Sequence, residues 1–190
     1  MLLKKPKSRP WSKAEYHQAA ERGWFDGQRV ELINGEVINM PTEKESHAMA
    51  ILLADRAVRG AFGSGYVFRC QLPLAAPGAS EPEPDLAVIE GSTEEMKHYP
   101  ATAVLVIKIA ESTLEYDRTR KAGLYARCKV ADYWIVNLLN RQLEVRRNIV
   151  TQRGKEFGWD YSTTAIYQLG DAVAPLARPR ARIKVADLLP

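Results

Sequence analysis

Ala103-Val104-Leu105-Val106-Ile107-Lys108-Ile109-Ala110 is a continuous apolar run, rich in β-branched residues, with one charge inside it. A strand with one wet face alternates apolar and polar residues, whereas an unbroken apolar run belongs to a strand covered on both faces. The run therefore predicts a central strand of a sheet that has helices on each side. Lys108 is the anomaly in it. An ammonium among Val104, Val106, Ile107 and Ile109 must reach water, meet a carboxylate or lose its proton, because an isolated buried charge is very costly.

On the C-terminal side, Asp117 is expected to cap a helix running to about Arg127. Tyr133-Trp134-Ile135-Val136 predicts a further buried strand, with Leu143-Glu144-Val145 as its hairpin partner. Beyond it stand only short apolar pieces, around Ala165–Leu169 and Ile183–Leu189. On the N-terminal side, the loop from Ala75 to Pro84 holds three prolines and cannot be a central strand; it leads into a strand from Asp85 to Ile89. Tyr66–Leu74 alternates weakly and reads as a strand. Apolar residues at Ala48, Ile51, Leu52, Val58 and Phe62 have helical spacing, and the glycines at 60, 63 and 65 stop that helix. Asn34-Gly35 between Arg29–Ile33 and Glu36–Met40 is the signature of a tight hairpin. Ser12-Lys13-Ala14-Glu15 is a capping box that opens a helix to about Arg22. The order predicts an α/β fold with a mixed central β-sheet flanked by α-helices, preceded by an N-terminal helix and β-hairpin. Residues 12–189 are expected to form one domain, after a loose, basic arm over residues 1–11.

Composition narrows the function classes. The 190 residues are 46% hydrophobic and 26% charged, so global disorder is excluded. No run approaches the roughly 20 apolar residues of a membrane span. The N-terminus has basic residues but no apolar core behind them, which argues against a secretory signal. Cys70 and Cys128 lack metal-ligand spacing, and a reduced, cytoplasmic protein is expected. A net charge of +4 is a weak pointer to an anionic partner. Its clusters lie at Lys4, Lys5, Lys7 and Arg9, at Arg118, Arg120 and Lys121, at Arg146 and Arg147, and at Arg178, Arg180 and Arg182. P-loop, HExxH, GxSxG and SxxK motifs are all absent. His17, His47 and His98 share no spacing and read individually as surface residues.

Four features stand near strand ends or helix starts: Glu31 in the hairpin, Asp85 after Pro84, Lys108, and Asp117-Arg118-Thr119-Arg120-Lys121 with Tyr125 one turn on. Taken singly, Glu31 could face solvent and Lys121 could be a surface lysine. Asp85 is the natural partner of Lys108, since it opens the most plausible neighbouring strand.

The ordered set Glu31-Leu32-Ile33-Asn34-Gly35-Glu36, His47, Glu83-Pro84-Asp85-Leu86, Leu105 to Thr113, Asp117, Lys121, Tyr125 and Asp132 to Val136 resembles the Uma2 family, also called DUF820. Its members are endonucleases of the PD-(D/E)XK nuclease superfamily. The resemblance spans about residues 12 to 189 and implies a restriction-endonuclease-like sheet flanked by helices. It matches Glu31 and Asp85 to the family's acidic, metal-binding positions, for Mg²⁺ or Mn²⁺. Lys108 stands where the third acid is usual, and Ala110 stands where the superfamily lysine would be. Lys121 is implied as the substitute lysine, supported by Tyr125, Asp117 and His47. DNA is the implied substrate, with Arg118 and Arg120 on its phosphates, and a homodimer is implied by analogy with double-strand cutters.

Hard divalent ions need carboxylate oxygens, and a bound metal activates water against a phosphodiester. Replacing an acid with Lys108 changes the local charge by two units in the wrong direction. Glu111 and Glu83 lie close in sequence but not at family ligand positions. Two expectations follow: a metal-dependent DNA endonuclease impaired at Lys108, or a non-catalytic nuclease-fold module that binds nucleic acid or protein.

Overall fold

Ser12 and Glu15 cap each other's backbone N–H, opening α1 at Lys13–Glu21 in the computed structural model, which describes residues 8–190. The cluster Lys4, Lys5 and Lys7 lies outside the described residues. The arm is not loose throughout: the Trp11 N–H donates to the Gly35 carbonyl, and the Trp11 ring packs edge-on to Trp24. Asn34 and Gly35 both have positive φ, 52° and 79°, as a primed two-residue turn requires. They join β1 (Val30–Ile33) to β2 (Glu36–Asn39) in the register Ile33↔Glu36. Helix α2, Glu45–Phe62, buries Ala50, Ile51, Ala54, Val58 and Phe62 on one side.

The main sheet has six strands: β3 (Tyr66–Cys70), β4 (Leu86–Glu90), β5 (Leu105–Ala110), β6 (Tyr133–Asn137), β7 (Gln142–Thr151) and β8 (Trp159–Tyr167), in that spatial order. Only β5 and β6 run parallel, so a helical crossover must join them. It forms in three pieces: α3 (Leu114–Tyr116), a π-helical turn (Asp117–Lys121) and α4 (Ala122–Arg127). β5 is buried along its whole length, as its unbroken run requires. Leu105, Ile107 and Ile109 face α2, and Val106 and Ala110 face α4. A short pair, β9 (Ala172–Val173) with β10 (Ile183–Lys184), and a 3₁₀ turn at Val185–Leu188 close the α2 side.

Three expectations need correction. Asp117 is not a helix cap: the helix begins a turn earlier, and Asp117 lies inside its π-helical turn, accepting from the Thr113 hydroxyl at 2.7 Å. Asp117, Lys121 and Tyr125, four residues apart, share one helix face, and all three are fully buried. Strand β3 ends at Cys70, four residues before the expected Leu74. Strand β8 was not expected at all. It is an edge strand whose alternation is short: Trp159 and Tyr161 pack inward, and the exposed Ser162, Thr163 and Thr164 then break the pattern.

Candidate active site

Pro82 and Pro84 keep the segment before β4 out of the ladder, and Asp85 emerges at its end, 1% exposed. Pairing between β4 and β5 stops at Leu86↔Ile107. The next inward-facing N–H, that of Ile109, is thereby left for the Asp85 carboxylate, which accepts it at 2.6 Å through Oδ2. Lys108, 3% exposed, turns the same way and donates through Nζ to Asp85 Oδ1 at 3.0 Å and to the Glu83 carbonyl at 3.4 Å. The partner that the sequence called for is the one Lys108 has. Burial acts to raise the Asp85 carboxyl, but the Lys108 ammonium, the His47 ring and the Ile109 N–H together hold it below its ordinary value.

A second ion pair lies on the same side of the sheet. Glu31, fully buried on β1, accepts from Lys121, fully buried on the π-helical turn. Burial, with the Arg29 charge adding to it, pushes the Lys121 ammonium down to about 7, while the touching Glu31 carboxylate pulls the other way. The Tyr125 ring stands 6.0 Å from Lys121 Nζ, its hydroxyl buried without a partner. Asp117 keeps one oxygen on Thr113 and the other unpartnered; burial raises it to about 6, against the opposing pull of Lys108 and the Thr113 hydroxyl.

The Asp85–Lys108 pair opens into a pocket of about 40 Å³ that Arg29, Glu43, His47 and Thr113 also line. His47 Nε2 is 3.5 Å from Asp85 Oδ1 and 3.6 Å from Glu43 Oε1. Glu43 also accepts from Arg29 and from Gln71 Nε2. Donor atoms of Glu43, His47 and Asp85 lie within 4.8 Å of one another, the arrangement of a metal-binding trio. His47 is therefore part of the site rather than an ordinary surface histidine.

The site thus splits in two. Asp85, Lys108 and His47 line the pocket; Glu31, Lys121 and Tyr125 are sealed and do not. Arg118 and Arg120 are already engaged: Arg118 forks onto Glu144 at 2.6 and 2.9 Å, and Arg120 binds Glu36 at 2.7 Å and Glu156 at 2.8 Å. Glu111, the nearest spare acid in sequence, pairs with Lys44 at 2.8 Å. Sequence reasoning missed Glu43 and Arg29. The signals were modest: Glu43 lies four residues before His47, and Arg29 lies two before Glu31, on the same side of an extended chain.

A mixed six-stranded sheet with a helical crossover over a buried Asp–Lys pair is a nuclease-fold α/β arrangement. The profile of the Uma2 family, described as "Putative restriction endonuclease", matches residues 14–177, and the chain belongs to that family. The chain is also similar to a crystal structure described as a putative nuclease belonging to DUF820 from Anabaena variabilis. The match has a TM-score of 0.66 at 13% identity, over 85% of this chain and 89% of that one. At that identity the likeness is one of fold. Comparison with curated proteins returns no match. Among the described residues, no helix is long and apolar enough to cross a membrane.

Proposed function

We propose that the chain is a DNA-directed nuclease-fold protein whose phosphodiester hydrolysis is impaired at one residue, Lys108. The observation that carries this reading is the Lys108–Asp85 ion pair, 3.0 Å long with both side chains buried. Family membership supports a nuclease acting on nucleic acid. With an acid at position 108, Asp85 and Glu31 would hold Mg²⁺ or Mn²⁺, and the ion would supply activation of a water. Lys121, its ammonium lowered towards neutrality by burial, would serve as general base or phosphate clamp once its sealed pair with Glu31 opens, and Tyr125, Asp117 and His47 would support it.

The residues as they stand do not fit such an ion. Asp85 Oδ1 is taken by an ammonium, with the Arg29 guanidinium 3.9 Å away, and Glu31 gives one oxygen to Lys121 while its other, unpartnered, is sealed away from the pocket. The Glu43, His47 and Asp85 trio has the right spacing, but Arg29 and Lys108 surround its two carboxylates with as much positive charge as they carry. A dication entering there must displace a buried lysine. No catalytic step through a metal is therefore assigned to this chain.

The same reading takes residues 12–189 as one cytoplasmic domain that acts as a homodimer. Arg118 and Arg120 exchange their carboxylate partners for backbone phosphates when DNA binds. A second reading, a non-catalytic nucleic-acid- or protein-binding module, is favoured by the same ion pair, because it leaves the fold intact while occupying the metal's place.

Cleavage of supercoiled plasmid in Mg²⁺ or Mn²⁺ separates the two. Under the first reading the chain is inactive or feeble, Lys108→Glu cuts, and Asp85→Ala in that background abolishes cutting. If neither protein cuts with either ion, the binding-module reading replaces it. Cleavage by the unaltered chain that depends on Asp85 contradicts the impairment.

A further inference from the structure

Among the described residues, three cationic side chains are buried: Lys108, Lys121 and Arg69. The first two have carboxylates, Asp85 and Glu31. Arg69, 9% exposed on β3, has none among the described residues. Its guanidinium instead donates through one terminal nitrogen to the Pro73 carbonyl at 3.2 Å and through the other to the Met96 thioether at 3.3 Å. A thioether is a weak acceptor. Its Nε is buried with no partner. A buried charge without a counter-ion is costly, and this one leaves donors unused.

What Arg69 faces is not packed core. It lines an open pocket of about 640 Å³ together with Leu72, Met96, Lys97, His98 and Tyr99, a size suited to a small organic ligand. The Tyr99 ring lies 5.7 Å from the guanidinium carbon and is 47% exposed, which leaves much of it open to a flat partner. Lys97 and His98 are exposed at the rim. The acids of the same loop are turned to other work: Glu95 accepts from the Ser92 N–H and Glu94 from the Thr93 hydroxyl.

We propose that this pocket binds a mononucleotide unit, its phosphate on Arg69 and its base against Tyr99. A phosphate oxygen supplies the anion that the buried guanidinium lacks and takes the fork donors now spent on sulfur or on nothing. Base stacking on an exposed tyrosine tolerates any base, because every base has a π-face. The pocket shares no residue with the Asp85–Lys108 site, so the inference stands whether or not Lys108 silences that site.

Equilibrium binding to the full chain tests it, with inorganic phosphate, 5′-dAMP, deoxyadenosine, and oligonucleotides bearing a 5′-phosphate or a 5′-hydroxyl as probes. The expected order is 5′-dAMP above phosphate, with deoxyadenosine weakest. Arg69→Met lowers 5′-dAMP affinity about ten- to a hundred-fold. Tyr99→Leu, an exposed change that leaves the fold alone, weakens 5′-dAMP but not inorganic phosphate. The ligand-free Arg69→Met protein melts no lower than its parent, because the change removes an uncompensated buried charge. Tighter binding of the 5′-phosphate oligonucleotide than of 5′-dAMP assigns the pocket to a strand end, and the reverse order to a free nucleotide. The proposal is overturned if 5′-dAMP does not bind, if it binds equally well without Arg69, or if Arg69→Met lowers the melting temperature of the free protein.

Discussion

The two faces of the central sheet are built on different terms. Towards α2, Leu105, Ile107, Ile109, Trp134 and Val136 meet Ala50, Ala54, Val58 and Phe62, apolar against apolar. Towards α4, the same strands present Val106, Ala110 and Ile135, but among them lie Asp85 and Lys108, with Glu31 from the hairpin and Asp117 and Lys121 from the π-helical turn, all buried. One face supplies stability through area removed from water, the other carries charge at a cost in desolvation. Buried charge gathers chiefly on the second face, where the candidate site lies; among the described residues Asp132, fully buried beside Trp134, is the exception on the first. Within the second face the two ion pairs differ again, since Asp85–Lys108 borders a pocket and Glu31–Lys121 is sealed.

The largest expected effect comes from breaking the sealed pair. Lys121→Met leaves the Glu31 carboxylate uncompensated and is predicted to cost about 3–5 kcal/mol in urea unfolding. Adding Glu31→Gln is predicted to recover most of that loss. If the single change costs no more than an exposed pair would, the pair is not sealed. On the apolar face, Ile107→Ala is predicted to cost about 2–5 kcal/mol by creating a cavity. Its companion change Glu31→Gln, on the opposite face, should add to it without coupling.

A third prediction uses pH. Burial raises Asp117 from an ordinary 3.8 to about 6, so its folded value lies above its unfolded one. Its contribution is fully present below the unfolded value and is lost as pH rises through about 6. Asp117→Asn should therefore stabilise the protein at pH 7, by about 2 kcal/mol, and flatten the pH dependence between about 4 and 6. Asp85 has the opposite sign: held low, its contribution is present above its ordinary value and fades as pH falls. A melting temperature for Asp117→Asn that still falls between pH 4 and 6 would contradict the assignment. The smallest effect is expected at Glu111, whose partner Lys44 is mostly exposed. Glu111→Gln should change stability by no more than about 0.5 kcal/mol. It should also leave metal affinity untouched in the Lys108→Glu protein; a loss of affinity would mean that Glu111 is a ligand.

Much of the fold was legible because local chemistry fixed it. The Asn34-Gly35 turn, the Ser12–Glu15 box and the α2 periodicity all formed where their residues required. The β8 strand was not legible, because its inward side is marked by only Trp159 and Tyr161 before the exposed Ser162-Thr163-Thr164 run breaks the pattern. The π-helical turn was hidden for another reason: Asp117 is a good capping residue by type, and only the inward packing of Lys121 and Tyr125 explains why it sits inside the helix instead. In the site, the Lys108–Asp85 contact followed from electrostatics alone. The separation of Glu31 and Lys121 from the pocket did not, since spacing along the chain says nothing about which buried pair meets solvent.

The most direct test of the central claim is calorimetric titration with Mn²⁺, made on the unaltered chain and on Lys108→Glu, each with and without Asp85→Ala. The account predicts no Asp85-dependent binding by the unaltered chain and clear binding by Lys108→Glu that Asp85→Ala removes. Asp85-dependent binding by the unaltered chain would contradict it, and would mean that Glu43 and His47 hold the ion despite the lysine beside them.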